Sequence, residues 1–191
     1  APTVVAEGLA APWDIAFVDA DTALVSQRDS GDVIEVSSDG TKRVIGVIED
    51  VDARGEAGLH GLAVHDGYLY AYYGTTEDNR VDRFELTGES GTLGLGQREE
   101  IVSGLPIGNV HNGGRIAFGP DGKLWISSSE RQKFTPAQDP KATLGKVLRL
   151  NLDGTPAAGN PLAAKGFHPA VWSYGHRNLL GVALDGQGRL W

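Results

Sequence analysis

The chain has 191 residues, enough for one domain with its own core, and 17 Lys and Arg against 25 Asp and Glu give it a formal net charge of −8. This acidic balance argues against nucleic acid or an anionic membrane surface as a partner, because both require a basic face. The sequence has no Cys and no apolar run near the ~18 residues of a membrane span, which excludes disulfides, thiolate metal sites and a spanning helix.

Strand-like alternation of apolar and polar residues runs along the chain, as in the segments 123–127 and 146–152. Asp-Gly pairs separate such segments, and Asp-Gly favours a type I′ hairpin turn, because both central residues of that turn take positive φ. No long stretch shows a period of 3.6 residues, so the sequence predicts a nearly all-β protein. The Asp-Gly pairs begin at residues 39, 66, 121, 153 and 185.

The strands recur in units that can be aligned by eye. Four predicted inner strands contain aligned alanines at positions 16, 63, 117 and 183, which lie 47, 54 and 66 residues apart. Each is followed by a turn and a second strand, and three units continue into a third strand. A period near 40 to 50 residues with about four strands per unit is typical of a β-propeller blade, although a sandwich of regular hairpins is the alternative.

This pattern predicts a single domain over residues 1–191, a partial β-propeller of about three and a half four-stranded blades. An array that does not close exposes two strand edges, and open edges invite pairing with other strands. We therefore expect the edges to be covered either by the rest of a longer protein or by another chain.

Three polar clusters each come directly before a predicted inner strand, at 54–61, 108–115 and 172–178. In a propeller the three would meet at one end of the central channel, although connections between blades are commonly polar and rich in glycine. His111 in the second cluster is a candidate general base, because imidazole titrates near neutral pH, or else a loop histidine bonded to a turn. Arg177 and Asn178 suit an anionic or carbonyl-rich ligand, or else form a corner between blades.

The remaining chemical signals are weak. The carboxylates in segments 19–21 and 49–52 could hold calcium, but such groups more often belong to solvated turns. The sequence has no zinc-binding His-Glu-x-x-His, no phosphate-binding loop spacing and no Gly-x-Ser-x-Gly elbow. No metal ligand is assigned within the chain.

Five stretches with specific motifs occur in order, namely 55–59 (GEAGL), 110–122 (VHNGGRIAFGPDG), 137–139 (AQD), 144–150 (LGKVLRL) and 172–178 (WSYGHRN). This ordered set resembles the soluble quinoprotein sugar dehydrogenases, the glucose/sorbosone and aldose sugar dehydrogenases that use pyrroloquinoline quinone (PQQ). The resemblance extends from about Pro12 to Trp191, and it implies a six-bladed propeller that oxidises the C1 hydroxyl of an aldose to a lactone and passes electrons to an acceptor.

The resemblance also implies roles for individual residues. His111 matches the catalytic base, and Arg177 and Asn178 match the pair that binds the quinone oxygens. Glu56 falls where the family has a Gln or Glu near cofactor and substrate, and Gln138 falls in a loop that lines the site. Members of the family are typically exported to the periplasm or cell surface, and a chain that begins Ala-Pro-Thr without Met fits a processed, secreted product or else a boundary introduced by cloning.

The sequence departs from the family pattern in several places. Leu179 and Leu180 follow the Arg-Asn pair, Ser-Ser-Ser-Glu-Arg at 127–131 replaces a Thr-Gly-Asp or Thr-Gly-Glu loop, and His60 replaces a usual Leu. The family's loop that helps bind the PQQ-associated Ca²⁺ would begin beyond Trp191, so we expect this chain alone to be inactive. A non-catalytic sugar- or protein-binding propeller is the alternative function, and a calcium-dependent sugar lactonase is a third.

Overall fold

The computed structural model describes residues 2–133 and 135–191, which form three four-stranded antiparallel sheets, each with its strands in chain order. The first sheet consists of β1 (Pro12–Phe17), β2 (Thr22–Gln27), β3 (Asp32–Ser37) and β4 (Lys42–Val47). The second consists of β5 (Leu59–His65), β6 (Tyr68–Gly74), β7 (Asn79–Thr87) and β8 (Gly94–Leu105). The third consists of β9 (Ile116–Phe118), β10 (Leu124–Ser128), β11 (Lys146–Leu150) and β12 (Val171–Tyr174).

The described chain confirms the predicted all-β fold and the predicted count of about three and a half blades. A fourth hairpin begins after β12, where Leu184 bridges to Leu190. It is less regular than the two strands predicted there, since this single bridge is flanked by backbone hydrogen bonds from Ala183 to Trp191 and from Asp185 to Arg189, and Trp191 remains 73% exposed. The two helices of the described chain are short 3-10 turns, Thr135–Ala137 and Ala163–Lys165, and neither is long enough to cross a membrane.

Most of the hydrophobic core lies between neighbouring sheets, and a smaller buried cluster of Val25, Ile34 and Val36 packs on the first sheet alone, against the N-terminal segment. One buried cluster joins the first and second sheets, and a second cluster joins the second and third. The middle strand β6 contributes to both, because Leu69, Ala71 and Tyr73 face the first sheet while Tyr70 and Tyr72 face the third. Both faces of β6 are buried, which explains why its sequence is continuously apolar or aromatic.

Only one of the Asp-Gly pairs forms the type I′ turn that the sequence predicts. Asp66 and Gly67 both have positive φ, at 49° and 80°, as that turn requires. At 39–40, 121–122 and 153–154 only the glycine has positive φ, and each aspartate carboxylate accepts a hydrogen bond from the N–H two residues later. In the fourth hairpin the positive φ falls on Gly188. The turns at 39–40, 121–122 and 153–154 favour Asp-Gly because the carboxylate closes a local loop before a left-handed glycine.

The topology brings six connecting segments to one end of the sheets. The inner strand β5 packs against β1 of the first sheet and against β9 of the third. The segments before β5 and β9 and after β12 therefore open on the same end as the segments after β2, β6 and β10, since neighbouring strands are antiparallel. We call this end the upper face, and its described residues are 28–31, 48–58, 75–78, 106–115, 129–133 with 135–145, and 175–180.

Candidate active site

His111 lies at the tip of an upper-face loop in a strained backbone conformation, with φ of 57°. The neighbouring Asn112 holds the loop in this shape. Its Oδ1 accepts hydrogen bonds from the Gly108 N–H (2.9 Å) and from Asn79 (3.2 Å), and its Nδ2 donates to the Gly108 carbonyl (2.9 Å). Tyr72 donates from its hydroxyl to the Asn112 carbonyl at 2.8 Å. Residues of the second sheet thus hold His111 in a left-handed backbone conformation, and backbone strain of this kind is common at functional sites.

The imidazole of His111 is paired with a buried carboxylate. Nδ1 lies 2.5 Å from Oε1 of Glu130, and the two side chains are 8% and 1% exposed. Because a carboxylate accepts hydrogen bonds, Nδ1 carries the ring proton, and Nε2 is left as the basic nitrogen. The other carboxylate oxygen of Glu130 is buried without a partner in the described chain. The pairing fixes the tautomer of the His111 ring, and the Glu130 carboxylate can stabilise a positive charge on that ring.

Glu130 is a site residue that the sequence analysis missed. It appears there only as part of the unusual 127–131 segment, because it lies outside the three polar clusters that precede inner strands. Glu130 follows the second strand of its blade, β10, which ends on the same upper face. An acidic residue directly after that strand was the available signal.

Glu56 contacts His111 directly, as the shared position of their clusters predicts. Its Oε2 accepts a hydrogen bond from the His111 N–H at 2.8 Å, and its own N–H donates to the Asn109 carbonyl at 2.7 Å. The preceding Gly55 has φ of 59°, and a Cβ there would lie 2.1 Å from the Asn109 carbonyl oxygen. Only glycine permits this approach of the two loops, which brings the Glu56 carboxylate to the His111 backbone.

Arg177 and Asn178 lie next to the His111–Glu130 pair. The Glu130 N–H donates to the Arg177 carbonyl at 2.9 Å, and the Leu179 N–H donates to Ser129 Oγ at 2.9 Å. The Arg177 side chain is exposed, whereas Asn178 is half-buried and its Oδ1 has no partner among the described residues. The arginine and the amide are therefore carried on a segment that is hydrogen-bonded to the residue paired with His111.

Gln138 reaches the same face through a separate loop. Its side chain is exposed, and its Nε2 lies 3.0 Å from the point that a Cβ on Gly175 would occupy. The Gly175 N–H donates to the Ala137 carbonyl at 3.0 Å. Buried Lys146 donates from Nζ to that carbonyl and to two others in the same loop, those of Pro136 and Leu144. The lysine thus fixes the loop that brings Gln138 beside the Arg177 segment.

A cavity of about 150 Å³ opens near the axis beneath these loops. Glu56 and Asn178 both line it, so two of the predicted site residues face one space. The other lining residues are Trp13, Arg28, His60, Asn112, Gly113 and Leu180. The structure therefore brings Glu56, His111, Arg177 and Asn178 into one connected region, with Gln138 at its border.

The described chain offers no cage for a metal ion, since no three His, Asp or Glu side chains converge there. The acidic segments considered for calcium make other contacts. Asp50 pairs with Arg98 at 2.5 Å, Asp52 lies 3.5 Å from Arg54, and Asp19 accepts a hydrogen bond from Ser90. The residues present do not fit a calcium site.

One histidine below the site is fully buried. His60, at the start of β5, is 2% exposed, and burial lowers its pKa from 6.5 to about 4. Its Nε2 lies 2.8 Å from the Glu56 carbonyl, and its ring stacks on Trp13 with centroids 4.7 Å apart. The ring is therefore neutral at physiological pH and is part of the packing under Glu56.

This burial predicts a loss of stability in mild acid. The unfolded ring takes up a proton as the pH falls below 6.5, whereas the folded ring does so only near pH 4. The stabilisation that the neutral His60 ring contributes is present above pH 6.5 and is lost as the pH falls to 4. The free energy of unfolding then decreases by about 3 kcal/mol in total. Urea unfolding of the wild type and of His60→Leu at about pH 7 and about pH 4.5 measures it. An equal loss in both proteins would contradict the prediction, because every other titrating group is shared.

The chain is similar to a set of sugar-oxidising proteins. The sequence model of the Glucose / Sorbosone dehydrogenase family matches residues 9–191. The chain is 30% identical to quinoprotein glucose dehydrogenase B of Acinetobacter calcoaceticus over 201 aligned residues, covering 87% of this chain and 42% of that protein. It is 26% identical to aldose sugar dehydrogenase YliI of Escherichia coli K12, covering 91% of this chain and 50% of that protein.

The similarity extends to three dimensions. The PQQ-bound form of aldose sugar dehydrogenase (Adh) from Streptomyces coelicolor matches with a TM-score of 0.89 at 40% identity, covering 98% of this chain and 57% of that one. The three sheets thus correspond to blades of a β-propeller. The chain spans about half the length of the curated relatives it matches.

Proposed function

The chain belongs to the glucose/sorbosone dehydrogenase family, and from that premise we propose that the whole protein oxidises the C1 hydroxyl of aldose sugars to lactones with PQQ. One observation carries the proposal. A buried His111–Glu130 pair is hydrogen-bonded through Glu130 to the backbone of Arg177, whose side chain is exposed on the same face. A base and a cationic donor within one connected region are what removal of a proton and a hydride from one alcohol requires.

The residues present fit one side of a quinone cofactor. Quinone oxygens accept hydrogen bonds, and Arg177 supplies an exposed guanidinium while Asn178 supplies an amide in the axial cavity. The relatives named quinoprotein and PQQ-bound support this choice of cofactor. When bound, PQQ supplies an electron-poor quinone that accepts the hydride from C1 of the sugar.

Each residue of the chain has a distinct part in this proposal. His111 takes the proton of the C1 hydroxyl at Nε2, and Glu130 stabilises the imidazolium that results. Arg177 and Asn178 would donate hydrogen bonds to the quinone oxygens and stabilise the negative charge that develops on them. Glu56 fixes the backbone of His111 and lines the cavity for the sugar, and Gln138 borders it. The electrons then leave to an external acceptor.

The test uses the whole protein in the presence of Ca²⁺. PQQ is titrated and followed by visible absorbance, and a panel of aldoses is then added with an artificial electron acceptor. Oxidation of at least one aldose supports the dehydrogenase. PQQ binding without sugar oxidation would favour a non-catalytic binding propeller, and absence of PQQ binding would overturn the proposal. We expect the 191-residue chain by itself to oxidise no sugar, because it spans about half of the relatives' length.

We further propose that Ca²⁺ accompanies PQQ in the whole protein, as the resemblance implies, although no step above depends on it. Removal of Ca²⁺ with a chelator should then weaken PQQ binding. Retention of full affinity for PQQ after chelation would contradict this part of the proposal.

We also propose that the protein works in the periplasm or outside the cell. The motifs that resemble exported sugar dehydrogenases support this location. Fractionation of producing cells should find the protein in the periplasmic, cell-surface or secreted fraction. Recovery in the cytoplasm alone would contradict the proposal.

The exposed outer face of the first sheet predicts association of the 191-residue chain. Ile15 and Phe17 on β1 are 53% and 66% exposed, and Val4 and Val5 beside them line the same apolar groove. An exposed apolar sheet face of this kind associates readily with another chain. Sedimentation of the isolated chain at micromolar concentration should show a dimer or larger species, and a compact monomer would contradict the expectation.

A further inference from the structure

The buried His60 side chain makes one polar contact, with the Glu56 carbonyl. Nε2 lies 2.8 Å from the Glu56 carbonyl oxygen, which can only accept, so Nε2 carries the hydrogen and donates it. Nδ1 is then an unprotonated acceptor, and it is buried without a partner in the described chain. A Cβ on Gly114 would come within 2.6 Å of Nδ1, so the ring packs tightly against the loop that follows His111.

The strand beneath the site is shaped to present this ring. Leu59 pairs with Tyr73 and Leu62 with Ala71, so the two residues between them on β5 face Tyr72 alone. Such a bulge redirects a side chain, and bulges are frequent next to active sites. Ser26 donates from its hydroxyl to the His60 carbonyl at 2.7 Å, which holds the bulge from the first sheet.

An aromatic stack fixes the orientation of the ring. Trp13 lies on one side with centroids 4.7 Å apart, and Tyr72 lies 6.1 Å away at an angle of 14°. The guanidinium of Arg115 lies 4.1 Å from the centroid of Trp13. The stack combines residues of the first and second sheets with the arginine that precedes β9, so the donor nitrogen of His60 has little freedom to leave the Glu56 carbonyl.

The contact leads to His111 through a single residue. The Glu56 peptide is held at its N–H by the Asn109 carbonyl and at its carbonyl by His60. From this held backbone the Glu56 carboxylate accepts the His111 N–H at 2.8 Å. We propose that His60 is a positioning residue that, through Glu56, fixes the backbone of the reacting histidine His111. The inference rests on the proposed function for its consequence in the reaction, but the geometric part can be measured without it.

The test compares three variants of the whole protein. His60→Leu keeps the apolar bulk and removes the donor, whereas His60→Gln places an amide N–H at a similar reach. His65→Leu is the matched control, since it makes the same change at the other end of β5, away from the upper face. Hydrogen exchange of the His111 amide is measured without cofactor, and sugar oxidation is measured with PQQ, Ca²⁺ and an artificial acceptor.

We expect the His111 amide to exchange roughly tenfold faster in His60→Leu and kcat to fall by roughly tenfold, because a small displacement of a reacting group is costly. His60→Gln should recover most of both, and His65→Leu should resemble the wild type. Unchanged exchange in His60→Leu, or equally faster exchange of all upper-face amides, would overturn the proposal. If the whole protein oxidised no sugar but the His111 amide still exchanged faster in His60→Leu, the positioning role would be supported and the proposed dehydrogenase activity would be overturned.

Discussion

Replacing His111 by asparagine is expected to lower kcat for aldose oxidation by about a thousandfold, within the range found for loss of a general base. Asparagine keeps a polar side chain of smaller size and tolerates the positive φ of this position, so the loop should retain its shape. It cannot accept the hydroxyl proton. The measurement is steady-state oxidation of an aldose with saturating PQQ and an artificial electron acceptor.

The control for this variant is His65→Asn, which makes the same change at the end of β5 that lies away from the upper face. It should oxidise sugar at the wild-type rate. PQQ titration of His111→Asn should give near wild-type affinity, since the quinone contacts are assigned to Arg177 and Asn178. A His111→Asn protein as active as the wild type would remove the base from the proposal and the reaction with it.

Glu130→Gln is expected to lower kcat by about a hundredfold, because it removes the charge that stabilises the imidazolium while keeping the size of the side chain. The amide oxygen can still accept the Nδ1 hydrogen, so the ring can keep its tautomer. The loss therefore reports the carboxylate charge more than the geometry. Steady-state kinetics should show the effect in kcat, with a smaller change in KM.

Two comparisons sharpen the Glu130 prediction. Glu89→Gln makes the same change in the exposed turn between β7 and β8 and should leave turnover unaltered. Glu130→Asp keeps the charge but shortens the side chain, and it should lose more activity than Glu89→Gln. Wild-type turnover in Glu130→Gln would show that the 2.5 Å pair with His111 is structural only.

The repeat pattern was sufficient to predict which loops meet. Because His111, Glu56 and Arg177 each precede an inner strand, the blade geometry alone places them on one face, and the structure agrees. The strained φ of His111 could not be predicted, because it depends on Asn112 contacting Asn79 and Tyr72 from the neighbouring sheet. Glu130 could not be singled out from the repeat, because it follows the second strand of its blade and the three polar clusters all precede inner strands.

The outer strands were the least predictable elements. None of β4, β8 and β12 was located from the sequence, although four strands per blade were expected. The strand β8 is mostly polar and exposed along its middle, and its pairing with β7 is interrupted by shifts in register. An outer strand buries one face at most and is broken by bulges, so its apolar alternation fades.

The division of β6 between two buried clusters has a consequence for how the molecule is assembled. Each of the two large clusters lies between neighbouring blades, so a neighbouring pair is the smallest piece that can bury either of them. Stability is then a sum of couplings between adjacent units, as in other repeat architectures. Tyr72 packs in the cluster between the second and third blades, and its hydroxyl also donates to the loop that bears His111. The packing of these two blades therefore helps to position His111.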